Sequence, residues 1–450
     1  MKDKREKLIS GNIFSLMMEL TLPAIVGMLV ISLYSFVDAI FVGKFVGEIA
    51  LGAISIGYAF TLINNGIAVL VGIGSASVLS RAIGGKDQKT IDVIMGNVFI
   101  LTLLFSVVTT VLGFIFAPQL LHLGGATGEM HGLGVVYLRI VFLASFFVNF
   151  GQASNMLMRG EGKMTLAMVF MGISAILNII LDAFFIVYLE MGIEGAAIAT
   201  VISQIELGLS QFIYFKFFSN NVKIKKFKLE KSIVKESLSV GVSAMFMQVF
   251  ALVQQVVLYA TLKKYGGENQ VVLMGAFFRY MMLSFIPLWG ISQGFQPFAG
   301  TNFGAQCFDR VKKGTYLFTA FAFSISLIFW VIFMLMPDKV LGLFIDNPAL
   351  IDLGKTNSLL AFALFPLSAL MIINLTLLQA LGKAKAAGIL VVARQLVLYV
   401  PAVLLLPLFF GVRGAWLAGP IVDVLITILS IIFVSKVFMR DLKGRGEQQV

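Results

Sequence analysis

Charge is scarce in this chain. Aspartate, glutamate, lysine and arginine together make up 13% of its 450 residues, about half the share found in ordinary soluble domains. That shortage excludes a water-soluble globular enzyme. With 59% hydrophobic residues, the chain is not fibrous or disordered either. Cysteine is nearly absent: Cys307 alone can form neither an internal disulfide nor a cysteine-based metal site. Histidine occurs only at His122 and His131, both in one outer loop. No paired-histidine metal motif and no serine–histidine arrangement therefore falls in an apolar stretch, and an enzyme is not expected.

What the chain has in plenty is apolar length. Continuous hydrophobic stretches run over 14–40, 53–80, 93–117, 134–157, 164–189 and 193–218. After a lysine-rich interval come 237–261, 271–300, 314–336, 357–381, 386–409 and 414–437. Each is long enough for a membrane-crossing helix, which needs about 20 residues. Runs this long exclude a β-barrel, whose strands alternate over about ten residues. Pro23, Gly27, Pro287, Pro297 and Pro401 lie inside spans, as membrane helices tolerate. The first span is too long for a cleaved signal and no small-residue cleavage site follows it, so it is expected to remain. The fold class is an all-α membrane protein of twelve transmembrane helices.

The net charge of +11 resembles a nucleic-acid signal until it is mapped. Twenty-five of the 34 lysines and arginines fall in loops on the side of the N-terminus, six in the opposite loops, and Arg139, Arg279 and Arg394 within spans. By the positive-inside rule both termini are cytoplasmic. The basic residues then serve topology and contact with anionic membrane lipids, and nucleic acid is not a partner.

The chain repeats itself weakly. A shift of 220 places Lys44 and Gly47 on Lys264 and Gly267, Gly74 and Gly84 on Gly294 and Gly304, and Gly162-Lys163 on Gly382-Lys383. A shift of 219 places Gly192, Gly195, Ala196 and Ala199 on Gly411, Gly414, Ala415 and Ala418. The expected organisation is an N-lobe over 1–220, a cytoplasmic linker over 221–232 and a C-lobe over 233–450. With six spans each, the two pseudo-symmetric six-helix bundles insert the same way round, related by an axis along the membrane normal. That is a carrier's design more than a channel's.

Ionisable groups inside spans are costly, about 2.5–3.5 kcal/mol each even on the lenient scale, and are functional suspects. The acidic ones are Asp38, Asp182, Glu206 and Asp423. Asp38 maps onto Leu258 in the second repeat, and Asp182 onto Pro401 or Ala402, so neither is needed to build a six-helix unit. Helical spacing gives them polar company: Tyr34 with Asp38, Asn178 with Asp182, Thr200 with Gln204, and Gln152 one turn before Asn155. Two carboxylates, a carboxamide and a hydroxyl offer hard oxygen ligands for a small cation, or a protonatable pair. Glu206 and Asp423 lack such neighbours. Arg279 and Arg394 can pair with Asp423, line a cleft or snorkel. The 42 phenylalanines and 21 methionines could supply an adaptable apolar wall, although most are lipid-facing or core residues.

Leu22-Pro23, Tyr34 with Asp38, the loop Arg81-Ala82-Ile83-Gly84-Gly85-Lys86, Arg159-Gly160-Glu161-Gly162-Lys163, Leu177-Asn178-Ile179-Ile180-Leu181-Asp182, and Gly192 with Gly195-Ala196-Ala197 and Thr200 stand in this order. In that order and spacing the chain resembles, over essentially its whole length, the multidrug and toxic compound extrusion (MATE) family of cation-coupled antiporters. The resemblance implies alternation between outward- and inward-facing states, with H⁺ or Na⁺ entry driving out cationic or amphipathic compounds. It implies a cation site at Asp38, Asn178, Asp182 and Thr200, with Tyr34 and Asn155 alongside; Gln152, Gln204, Gln254, Gln255 and Arg279 are candidates for the substrate side. One branch of the family carries an acidic residue on helix 7, where this chain has Gln254 and Gln255. The expected protein is a monomer in a prokaryotic plasma membrane, with no cofactor beyond the coupling ion. The rival within the superfamily is a flippase for lipid-linked saccharides, whose cavity would be rich in basic residues.

Overall fold

Short polar turns fix where each helix begins and ends. The computed structural model describes residues 2–219 and 221–440; Lys443 and Arg445, counted above, and Asn220, the last residue of the expected N-lobe, lie outside them. The spanning helices are α1 (Ile13–Val46), α2 (Glu48–Gly85), α3 (Gln88–Leu123), α4 (Gly128–Leu143 with Ser145–Gly160, bent by 55°), α5 (Met164–Tyr188) and α6 (Gly192–Phe218). In the second half a helical run Lys231–Gly304 divides at Gly267 (φ 73°, ψ −170°) into α7 and α8. A straight 74-residue helix would measure about 110 Å, several times the thickness of a bilayer core. Then follow α9 (Phe308–Leu335), α10 (Pro348–Phe362 with Leu367–Ala380, bent by 43°), α11 (Ala384–Phe410) and α12 (Val412–Arg440). Among the described residues there is no strand.

The helices overrun the apolar stretches at most ends because hydrogen bonding continues into the interface, where caps stop it. The Asn12 side chain accepts from the Phe14 and Ser15 amides at the head of α1, Asp87 from Thr90 at the head of α3, and Asn347 from Ala349 at the head of α10, each satisfying amides that a helix start leaves free.

The repeat reappears in backbone angles. Gly47 and Gly267, Gly162 and Gly382, and Gly192 and Gly411 all hold positive φ, as do Lys86 and Gln306. All are pairs at a shift of 219 or 220. Only residues free of the Cβ penalty, or paying it, adopt these angles, so the same turns join the helices of both six-helix bundles.

The bundles meet along a seam of small residues. A Cβ added at Gly84 would strike the Thr301 carbonyl, and one at Gly304 the Arg81 carbonyl; one at Gly241 would lie 1.7 Å from the Leu70 carbonyl oxygen, and one at Gly290 against Ile25. Glycines let the backbones approach this closely. The contacts are reciprocal under the repeat, and α2 and α8 run the same way, so the pseudo-twofold axis lies along the helices.

Every one of these contacts lies in the helix halves nearer the lysine-rich loops. At the other ends the lobes part. Ile63 of α2 and Met282 of α8 sit on the same faces as the seam glycines, yet are 47% and 62% exposed. The result is a cleft closed at the lysine-rich end.

A strap reinforces that end. The N-terminal helix Lys2–Ser10 sends the Arg5 guanidinium to the carbonyls of Ile83 and Gly84, at 2.8–3.1 Å. Its own Leu8 carbonyl accepts from Asn302 and Arg310, and that of Gly11 from Arg310 at 2.7 Å. The helix thus ties α2 of the first bundle to α8 and α9 of the second. Nearby, Arg81 pairs with Glu236 at 2.5 Å and Arg159 donates to Gln293.

Candidate functional site

Helix α1 brings Tyr34 and Asp38 to the α5 side of the first bundle, because their positions fall off the stripe Thr21–Ile25–Met28 that faces the second bundle. Helix α5 brings Asn178 and Asp182. The carboxyl groups of Asp38 and Asp182 come within hydrogen-bonding reach of one another. Each stands just before a widened turn: Val42–Val46 follows in α1 and Ala183–Tyr188 in α5, both π-helical, a local form that recurs at functional sites.

The neighbourhood is short of donors. Asp182 is fully buried, and neither of its oxygens accepts a hydrogen bond; Asp38 Oδ1 is in the same position. Asn178, 3% exposed, has an amide nitrogen without an acceptor, and Gln204 has a buried Oε1 without a donor. Buried polar atoms left this way cost about 1–3 kcal/mol each. Two carboxylates side by side also repel. A proton held between them, or a small hard cation drawn to their oxygens, relieves both penalties. Among the described residues no three His, Cys, Asp or Glu side chains gather.

Tyr137 of α4, 7% exposed, lies close enough to feel the charge of Asp38 and Asp182 and to neighbour Tyr34 and Tyr58. Sequence reasoning missed Tyr137 and Tyr58. Their signal was a polar hydroxyl inside an apolar stretch, weaker than a charge.

The other predicted residues are placed as follows. Thr200 and Gln204 lie one turn apart on α6, and the Thr200 carbonyl accepts from the Ser203 hydroxyl. Asn155 donates to the Ala167 carbonyl at 2.8 Å; Ala167 precedes Asp182 by fifteen residues of α5, about 22 Å, so Asn155 and its neighbour Gln152 stand apart from the carboxylate pair. Glu206 accepts from Ser210 at 2.6 Å. In the second bundle Arg394 pairs with Asp423 at 2.9 Å, and Gln254 donates to the Gln395 carbonyl. Gln255 and Arg279 lie beside Tyr259.

A sequence profile described as MatE matches this chain twice, over residues 23–184 and 243–405. The chain belongs to that family, whose members are transporters and not enzymes. It is a multi-pass helical membrane protein. It is similar to the multidrug export protein MepA of Staphylococcus aureus (strain N315), 26% identical over 407 residues covering 89% of each chain. Among solved structures it is similar to the MATE multidrug transporter DinF-BH, with 34% identity, a TM-score of 0.88 and coverage of 94% of this chain and 96% of that one. An outward-facing conformation of a multidrug resistance MATE family transporter of the MOP superfamily aligns with a TM-score of 0.90 at 25% identity, covering 98% and 99%.

Proposed function

We propose that this protein exports cationic or amphipathic compounds across a prokaryotic plasma membrane in exchange for H⁺ or Na⁺, by alternating access between its two lobes. The observation that carries the reading is the Asp38–Asp182 pair, in which both oxygens of the buried Asp182 and Oδ1 of Asp38 lack donors, and which the second repeat does without. Membership of a transporter family and similarity to multidrug exporters support the same reading. Asp38 and Asp182 are the coupling residues, with Asn178 and Thr200 completing the ion's ligands; Tyr34 and Gln204 border the site. Asn155 and Gln152, at the other end of α5, act on packing or on the closed state instead.

The lysine-rich ends are cytoplasmic, with both termini there, residues 1–220 and 233–450 as the lobes and 221–232 as their linker. The seam-closed conformation is then outward-facing. A monomer suffices, since the cleft and the pair are built within one chain. The flippase alternative would need a predominantly basic cavity, whereas the costliest polar centre of this chain is an acidic pair, Asp38 and Asp182, inside the first bundle.

Counterflow in proteoliposomes under imposed Na⁺ or pH gradients tests the proposal. Asp38→Asn and Asp182→Asn should each abolish gradient-driven export while the protein stays folded. Glu206→Gln, which keeps an acceptor for Ser210, should leave export near wild type. Wild-type gradient dependence in either aspartate variant at matched expression would refute the assignment.

A further inference from the structure

The cleft has a second polar wall, on the bundle that lacks the carboxylates. On α8 the side chains packed into the second bundle's core are Phe277, Tyr280, Ser284 and Leu288. Arg279 points to the opposite side, the phase shared by Gly290, Gln293 and Gly304, which meet the first bundle. Near those residues the lobes touch; at the level of Arg279 they have parted, and the residue is exposed. On α7, Gln255 and Tyr259 likewise share the phase of Gly241, which packs on α2. The Gln255 side chain lies within hydrogen-bonding reach of Tyr259, and Arg279 is close enough for its charge to act on the same tyrosine. The Tyr259 hydroxyl also stands 4.0 Å from where a Cβ at Gly275, one turn before Arg279, would lie, and its ring packs edge-on against Phe278. Two helices thus place a guanidinium, a phenol and a carboxamide together on one wall of the cleft.

Arg279 makes no ion pair among the described residues; Arg394, the other arginine within an apolar stretch of this bundle, is neutralised by Asp423. An unpaired cation eight residues inside the apolar stretch 271–300 is a functional suspect by its cost alone. Planar guanidinium is also the group best shaped to take a carboxylate by two parallel hydrogen bonds.

We propose that Arg279, with Gln255 and Tyr259, forms a subsite for an anionic group on the exported compound, so that the protein accepts zwitterions as well as plain cations. The substrate's cationic end is drawn to the first lobe and its carboxylate is held by Arg279. This rests on the export reading above and narrows its substrate class: Arg279 is a specificity-determining residue rather than part of the coupling machinery.

The test uses an N-alkylated acridinium dye bearing a terminal carboxylate, and the methyl ester of the same dye. Both carry the fixed positive charge; only one carries the anion. Binding by fluorescence anisotropy and export from proteoliposomes are measured for wild type, Arg279→Gln and Arg279→Lys. Losing one charge-assisted contact should weaken carboxylate-dye binding about tenfold or more in Arg279→Gln. The ester should change less than about twofold, and Arg279→Lys should restore part of the loss. Unchanged ester binding also certifies that the variant is folded. Equal loss of both dyes in Arg279→Gln, or a wild type that exports the ester and excludes the carboxylate dye, overturns the subsite and leaves the export reading standing. Failure of wild type to export either dye overturns both.

Discussion

Gly241 is the tightest point of the seam, and a single methyl group there makes a calculable perturbation. A Cβ on Gly241 would sit 1.7 Å from the Leu70 carbonyl oxygen, where ordinary contact begins at 3.4 Å. The obstacle is backbone, so no rotamer change relieves it, and α7 must move about 1.7 Å from α2. Overpacking of this kind costs about 1–3 kcal/mol. That strain exists only while the seam is closed, because rocking the lobes apart removes the contact. Gly241→Ala should therefore shift the population about 5- to 150-fold toward the state open at the lysine-rich end. Spin labels at the exposed positions Lys89 and Lys313, one on each lobe, report the separation by double electron–electron resonance in the Cys307→Ser background. The control is Gly66→Ala on the same face of α2, whose Cβ would meet only Met245 at 3.6 Å and should leave the distances unchanged. A Gly241→Ala protein that is folded and keeps the wild-type distance distribution would show that the seam is not what holds this conformation.

Arg5→Ala removes the strap's bonds to the Ile83 and Gly84 carbonyls. Those groups can rehydrate, so the same label pair should show a smaller shift, of about 1 kcal/mol; no shift would mean the strap is dispensable for closure. Arg394→Ala leaves Asp423, 18% exposed, without its partner and should destabilise the fold by up to about 3 kcal/mol. Arg394→Met with Asp423→Leu should recover most of that. Thermal unfolding followed by fluorescence-detected gel filtration measures both, and an Arg394→Ala protein as stable as wild type would contradict the pairing.

The spans were legible because twenty apolar residues in a row have one physical solution in a bilayer, and the repeat was legible because Gly47, Gly162 and Gly192 and their partners hold positive φ in both copies. Asp38 and Asp182 stood out by cost, and the structure brings them together. Asn155 misled because spacing along α4 says nothing of depth along α5: it bonds to Ala167, at the far end from Asp182. Tyr137 was hidden because a tyrosine in a span is usually amphipathic filler. The choice among partners for the in-span arginines needed three dimensions: Arg394 reaches Asp423 across 29 positions of sequence, while Arg279 points into the cleft.

The asymmetry between the lobes bears on how an ion could move the whole molecule. Helix α1 carries Asp38 at one end and, through Thr21 and Ile25, the seam contacts with Gly294 and Gly290 at the other. Helix α5 carries Asp182 and, three to four turns away, Met168, against which Gly27 of α1 is packed so closely that a Cβ would fall 2.0 Å from its sulfur. Pro23 interrupts the hydrogen bonding of α1 between pair and strap. Ion binding at the pair therefore acts on α1, whose other end seats the seam, and on α5, which packs against that end of α1; it can bias the lobes only if its affinity differs between their two arrangements. Continuity alone does not establish that difference. A double-mutant cycle between Asp182→Asn and Gly241→Ala, read out as the label distances with and without Na⁺ and at two pH values, does. Non-additivity of about 1 kcal/mol or more ties the pair to the seam; strict additivity would place the coupling step elsewhere and leave the carboxylates as a binding site without a lever.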